Sequence, residues 1–370
     1  MNAAADESRL REPLAIVVGP FPPPVHGASV VTQRVAELFD EVGRTGCVDT
    51  AVSRDGPAAI YHLRRIVVHV SAAGFVVRRA RSRNGCVYLS VPGGASTYQM
   101  LIVAAAARAR RSRIALHHHS FSYLNDTSLA HRLLFRLAGQ RAVHIALCEE
   151  MKRQLQEQYA AVDVRVWSNR HPMDLAPVPL RALPASHEPI ALGHMANLTV
   201  EKGLDVVLET LQLGLDSGLD LTLHLAGKPA DPTSEAMVAR ASLRFGDRLH
   251  LWGFVVEAEK VRFLETIDAF IFPSSYRNEA EPVVVLEALA RGVPCFVTAV
   301  GCLGSMPGAY SIGSSDTFAT RIVKCLSGRL AIESVRDESG DPVLRDPSDF
   351  LAALTAGRHH RSRNRWSRQS

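Results

Sequence analysis

A chain of 370 residues is long enough for two domains of ordinary size, each with its own core. Its 47% hydrophobic and 21% charged residues exclude a disordered chain. The formal charge of +5 is modest, and the six cysteines form no CxxC pair, so neither a zinc site nor a disulfide framework is indicated and reduced thiols are expected.

The opening segment MNAAADESRLREP mixes acids and arginines without an apolar core, which excludes a secretory signal and sets residues 1–12 apart as an extension. PLAIVVGP, residues 13–20, is a continuous apolar run ending in Gly-Pro, the pattern of a strand buried on both faces. FPPPVHGAS follows as a loop, and SVVTQRVAELFDEV has helical spacing with Ser29 as N-cap. The same strand–loop–helix cadence recurs. CVYLSVP precedes GGASTYQMLIVAAAARARR, RIALHHHS precedes LAHRLLFRLAG, and AVHIALC precedes EEMKRQLQEQY. Short buried strands alternating with helices predict a parallel sheet covered on both sides. The apolar stretches IVVHVSAAGFVV and LIVAAAARA fall short of the roughly 20 residues that a membrane span needs.

Around Trp167 the rhythm pauses in WSNRHPMDLAPVPLRALPASHEP, which holds five prolines and reads as an interdomain linker. A second series then runs through IALGHMANL, LDVVLETLQLGL, LTLHLAG, RLHLWGF, KVRFLETI and DAFIFPS. Beyond about Gly304 the pattern weakens, and AGRHHRSRNRWSRQS reads as a polar basic tail. The predicted organisation is a first domain over 13–174, a linker over 175–188, a second domain over 189–355 and a tail over 356–370, with a cleft between the domains.

Charge is distributed unevenly. Ten arginines and no acidic residue lie between Gly56 and Arg113. Such a face can meet anionic lipid headgroups, nucleic acid or solvent alone. Aromatic residues are not interleaved with the basic ones, which argues against a single-strand nucleic-acid platform.

The most informative stretch is IFPSSYRNEAEPVVVLEALARGVPCF, Ile271 to Phe296. A buried strand leads into a loop, and Pro282 fits the first turn of a helix whose stop is Gly292. Glu279 then sits before the helix at the C-terminal edge of the sheet, where parallel folds bind ligands. The N–H groups of Val283, Val284 and Val285 face an anion position at the helix start. Glu287 lies about 8 Å along the axis, the span from a diphosphate to a ribose. A capped helix with an internal salt bridge is the bland alternative.

NEAEPVVVLEALARGVP resembles the Glu–x7–Glu motif of retaining glycosyltransferases of family 4, whose fold is GT-B. The resemblance covers most of Leu14 to Gly301 and implies two Rossmann-like, doubly wound α/β domains facing across a cleft. It assigns the donor sugar to Glu279 and the ribose hydroxyls to Glu287. GHMANLTVEKGLDVVLETL resembles a second family signature and gives Lys202 the donor diphosphate. The family usually has an arginine where this chain has Asn197, which brings hydrogen-bond donors and no charge. GPFPPPVHGAS resembles the first-strand loop and points to Gly27, with His26 beside it. In RIALHHHSFSYL the resemblance favours His119 at the sugar-binding edge; His117 and His119 face one way and His118 the other. Adjacent histidines on a strand do not converge on a metal, and none is expected.

The resemblance therefore implies transfer of a sugar from a nucleotide-diphosphate donor to a saccharide or lipid-linked acceptor, with retention and without a metal cofactor. The catalytic set is Glu279, His119 and Lys202, and the donor-binding set is Glu287, Asn197, Gly27, Pro282, Val283 and Val284. The Arg64–Arg83 region suggests an anionic membrane surface, so the protein is expected in the cytoplasm, peripheral to the inner membrane face, with no nucleic-acid partner. A degenerate transferase acting as a nucleotide-sugar-binding or scaffold subunit, and a nucleotide-sugar epimerase, are the rival readings.

Overall fold

The computed structural model describes residues 14–53, 56–80, 85–176, 178–185 and 187–328. The predicted extension 1–12, the tail 356–370, and Arg81 and Arg83 lie outside the described residues. The chain divides into two compact units, residues 14–119 with 126–167, and residues 120–125 with 168–328.

The first unit alternates β1 (Ala15–Gly19), α1 (Gly27–Val42), β2 (Thr45–Asp49), α2 (Ala58–Arg79), β3 (Cys86–Val91), α3 (Thr97–Ala109) and β4 (Arg113–His118). The turn α4 (Ser122–Asn125) belongs to the second unit. The first unit continues with α5 (Leu129–Ala138), β5 (Val143–Ala146), α6 (Glu149–Tyr159) and β6 (Asp163–Val166). All pairings in its sheet are parallel, in the order β2-β1-β3-β4-β5-β6. Every residue of β1 and β3 is buried, as their unbroken apolar runs predict.

Helix α1 begins at Gly27, and its cap is His26, three residues before the predicted cap Ser29. His26 Nδ1 accepts from the Ser29 amide at 3.2 Å, and Ser29 Oγ accepts from the His26 amide at 3.0 Å. This is a reciprocal capping box with histidine in the place that serine, threonine or asparagine usually takes. The sequence reading named neither β2, α2 nor β6. β2 and β6 are short and only partly buried, and α2 turns much of its apolar surface outward.

The second unit runs β7 (Ile190–Met195), a 3₁₀ turn (Val200–Lys202), α7 (Leu204–Asp216), β8 (Leu221–Ala226), α8 (Pro232–Phe245), β9 (Leu249–Gly253) and α9 (Glu257–Thr266). It closes with β10 (Ala269–Phe272), α10 (Val283–Leu289), β11 (Cys295–Val297), β12 (Ala309–Ser311) and α11 (Ser315–Leu326). Its parallel sheet has the order β12-β11-β10-β7-β8-β9. Two apolar clusters lie on it. One joins Leu204, Leu211, Phe318 and Ile322, and the other joins Phe263, Val285, Leu286 and Leu289. Helices therefore cover both faces. The pattern does not stop at Gly304: β12 and α11 follow, with Phe318 and Ile322 fully buried.

Burial holds many histidines neutral. It pushes His119, His131, His144, His194 and His224 each down to about 4 from the ordinary 6.5. Folded-state values below the unfolded ones mean that, between pH 6.5 and about 4, the unfolded chain binds more protons than the folded one. Stability is thus full above pH 6.5 and falls as the pH drops through that window. Thermal melts should show a lower Tm at pH 5 than at pH 7.5; an unchanged Tm would show that these imidazoles titrate alike in both states.

Candidate functional site

In the second sheet β8 and β9 lie on one side of β7, and β10, β11 and β12 on the other. The strand order reverses between β7 and β10, so loops leaving their carboxyl ends diverge and leave room for a ligand. The residues singled out from sequence in this unit stand there.

After β7, Thr199 caps the 3₁₀ turn, its Oγ1 accepting from the Lys202 amide at 3.2 Å. Gly203 follows at φ +88°, and a Cβ there would stand 2.6 Å from the Pro273 carbonyl oxygen, so only glycine lets this turn press on the end of β10. The Ser275 amide donates to the Glu201 carbonyl at 2.9 Å and fastens the two loops. Lys202 is thereby aimed at the acid that follows β10. Its Nζ stands 2.5 Å from Glu279 Oε2 and 4.8 Å from the Tyr276 ring centroid. Ser274 Oγ donates to the same carboxylate oxygen at 3.0 Å. Glu279 is buried, and its backbone is fixed by Gly301, where a side chain would collide with the Glu279 carbonyl.

Glu287 is buried within α10. Lys260, on α9, donates to its Oε1 at 2.7 Å, while Oε2 is buried with no hydrogen-bond partner among the described residues. A buried carboxyl oxygen left without a partner is costly, and a ligand hydroxyl would satisfy it. Glu281, between the two motif acids, has a different use. Its Oε1 accepts from Ser168 Oγ at 2.7 Å, its Oε2 from the Asn169 amide at 2.5 Å, and its carbonyl from Asn169 Nδ2 at 3.1 Å. It clamps the segment after β6 onto the motif loop.

The helix that follows is shorter than predicted. α10 has seven residues, Val283–Leu289, with Pro282 as its cap and Gly292 at φ +74° beyond its end. The Val285 amide donates to the Pro282 carbonyl at 3.1 Å, so it does not face an anion position. The Val283 and Val284 amides have no partner among the described residues. Asn197 is exposed in the bend after β7, and its side chain makes no hydrogen bond among the described residues.

The first unit holds the other two candidates. His119 Nε2 is buried without a partner among the described residues, and its ring centroid lies 4.1 Å from that of His117. Burial, and then the neighbouring His26, hold its pKa at about 4. His118 turns to the opposite face and stacks on His144, Nε2 to Nδ1 at 3.1 Å, as strand alternation predicts. Gly27 is exposed at the start of α1. Among the described residues no group of three His, Cys, Asp or Glu side chains is arranged to hold a metal ion. Cys47, Cys86, Cys295 and Cys325 are free thiols, whereas Cys148 and Cys302 are not, which corrects the expectation of reduced thiols at those two positions.

Sequence reasoning missed Ser274, Tyr276, Lys260 and His194. His194 Nδ1 donates to the Ile271 carbonyl at 3.0 Å, and burial, with Lys202 adding to it, keeps the ring neutral. Lys260 lies 27 residues from Glu287 in sequence and carries no local signal; Ser274 and Tyr276 were in view within FPSSYRNE but have no pattern of their own. Glu281→Ala should lower stability by about 1–3 kcal/mol, because the buried Asn169 amide loses its acceptor. Denaturant unfolding measures this, and an unchanged midpoint would remove the clamp.

Residues 189–327 match the family model described as glycosyl transferases group 1. The Erwinia amylovora amylovoran biosynthesis glycosyltransferase AmsK is 29% identical over 119 residues, 31% of this chain and 29% of that protein. The D-rhamnosyltransferase WbpZ of Pseudomonas aeruginosa is 31% identical over 100 residues, 27% of this chain and 24% of that protein. The chain thus matches under a third of the length of these curated relatives. Among solved structures, Anabaena Alr3699/HepE in complex with UDP superposes with a TM-score of 0.60 at 14% identity, over 87% of this chain and 92% of that one. The fold is that of the GT-B glycosyltransferases, and its second unit carries the match to the glycosyl transferases group 1 model.

Proposed function

We propose that the protein is a retaining glycosyltransferase that moves a sugar from a nucleoside-diphosphate donor to a saccharide or lipid-linked acceptor. The observation that carries this reading is the pairing of two buried carboxylates with two lysines around the switch point, one of them with a bare oxygen. Glu287 Oε2 is an unsatisfied acceptor suited to a ribose hydroxyl, and Lys202 is a point charge suited to a diphosphate. The UDP held by the Anabaena neighbour and the transferase names of the two curated relatives support it.

Lys202 is paired with Glu279. A diphosphate would draw the ammonium to itself, and Glu279 Oε2, still accepting from Ser274 Oγ, would have its remaining lone pair free for a donor-sugar hydroxyl. As the anomeric carbon–oxygen bond breaks, negative charge gathers on the leaving diphosphate. Lys202 stands ready to meet it without rearrangement, which is where preorganised electrostatics lowers a barrier. The Val283 and Val284 amides after Pro282 add neutral donors. The proton of the acceptor hydroxyl goes to the leaving phosphate, and no metal takes part in this scheme. Roles for His119 and Gly27 rest on the family resemblance. A lipid-linked acceptor would put the protein at the cytoplasmic membrane face.

Asn197, where the family carries an arginine, favours one second reading, a donor-binding subunit that does not turn over. A thermal-shift panel of UDP-, GDP- and ADP-sugars followed by a transfer assay separates the two. One donor class should raise the Tm and be consumed only with acceptor. Glu279→Gln should retain the Tm shift and lose at least ~100-fold in transfer, the scale of removing one transition-state contact. Donor binding without turnover would favour the binding subunit; near-normal turnover of Glu279→Gln would refute the assignment. Appearance of a second sugar nucleotide without acceptor would point to epimerisation.

A further inference from the structure

We propose that the outward face of α2 is a docking surface for an anionic phospholipid membrane. The helix has 22 residues, and its most apolar 18-residue window has a mean hydropathy of 1.2 with only 22% of it buried. By length and composition it could cross a bilayer. Its surroundings say otherwise. Its inner side, His69, Ala72, Ala73 and Val76, is buried against its own unit, where α2 packs on α3. Arg64, Arg65, Arg78 and Arg79 are spread along it, and a spanning helix would carry them into hydrocarbon.

The outer side is the informative one. Ile60, Leu63, Val67, Val70 and Val77 recur at helical spacing and are all exposed, Leu63 at 61% and Val67 at 54%. At 100° per residue they span an arc of about 100°, with Arg64 and Arg79 beside it and Arg78 at its edge, in line with Ile60. Among the described residues none of these arginines has an ion-pair partner, and no acid occurs between Gly56 and Arg113. An aliphatic stripe beside unneutralised guanidinium groups matches one kind of partner in both respects. The acyl boundary of a bilayer takes the aliphatic side chains, and lipid phosphates take the arginines. The arginine run alone pointed only to an anionic surface; the stripe adds insertion, so α2 should lie in the interface plane. This proposal does not depend on the transfer reaction.

The test is cosedimentation of the full chain with vesicles of phosphatidylcholine alone and of phosphatidylcholine with phosphatidylglycerol at 3:1. Wild type should bind the anionic vesicles, with added salt weakening but not abolishing it. Leu63→Asp with Val67→Asp should lose at least about tenfold in partitioning. Arg64→Gln with Arg78→Gln should weaken anionic binding by roughly fivefold per arginine. In Val67→Trp the indole emission should shift to the blue only with anionic vesicles, a readout that serves even where the aspartate variant fails to fold. Equal binding to both vesicles, full binding by the aspartate variant, or an unmoved indole would overturn the proposal. So would absent vesicle binding by wild type together with a dimer that the aspartate variant dissolves, since a second copy would then cover the face.

Discussion

The candidate site depends on a charge pair held in a place where neither partner is well solvated. Lys202 and Glu279 meet at 2.5 Å, with the lysine side chain 24% exposed and the glutamate 10%. Withdrawing each ion from water costs several kcal/mol, and their attraction offsets this only with good geometry and additional hydrogen bonds. Ser274 Oγ and the Tyr276 ring supply that support. A pair balanced in this way is close to indifferent between its own partner and a better one. A diphosphate brings more negative charge than a carboxylate, so under the proposed function the same arrangement would ready the lysine for a phosphate.

Most of the second unit serves to place that pair. Lys202 follows β7 and Glu279 follows β10, the adjacent strands between which the order reverses. Gly203 and Gly301 allow the backbone contacts that press each loop inward, and Glu281 fastens the motif loop to Ser168 and Asn169. A second lysine–glutamate pair, Lys260 with Glu287, repeats the device on α9 and α10 but leaves one oxygen bare. The contrast between the acids is chemical. Glu279 has donors on one oxygen that a ligand would have to displace, and Glu287 has an oxygen that a ligand need only fill.

The fold class was legible because continuous apolar runs such as Ala15–Gly19 and Ala269–Phe272 can only be buried strands of a parallel sheet. Strands with partly exposed residues, Thr45–Asp49 and Asp163–Val166, escaped because their composition gives no period. Helix α2 escaped for the opposite reason, since its outward face carries exposed aliphatic side chains among its arginines and so blurs the amphipathic period. In the site, acids spaced along one motif were visible. Their partners were not: Lys260 is brought to Glu287 by packing that no local spacing encodes, and Ser274, five residues before Glu279, has no pattern of its own. The capping histidine was missed because the familiar cap residues drew the helix start three positions too far.

The central claim is that Lys202 exchanges Glu279 for a pyrophosphate. Calorimetric titration of wild type and Lys202→Met with UDP, GDP and ADP, and with the matching monophosphates, tests it most directly. The account predicts that the base that binds does so more tightly as its diphosphate in wild type, and that Lys202→Met removes most of this advantage while leaving monophosphate affinity nearly unchanged. An advantage of the diphosphate that survives the loss of the lysine would contradict it.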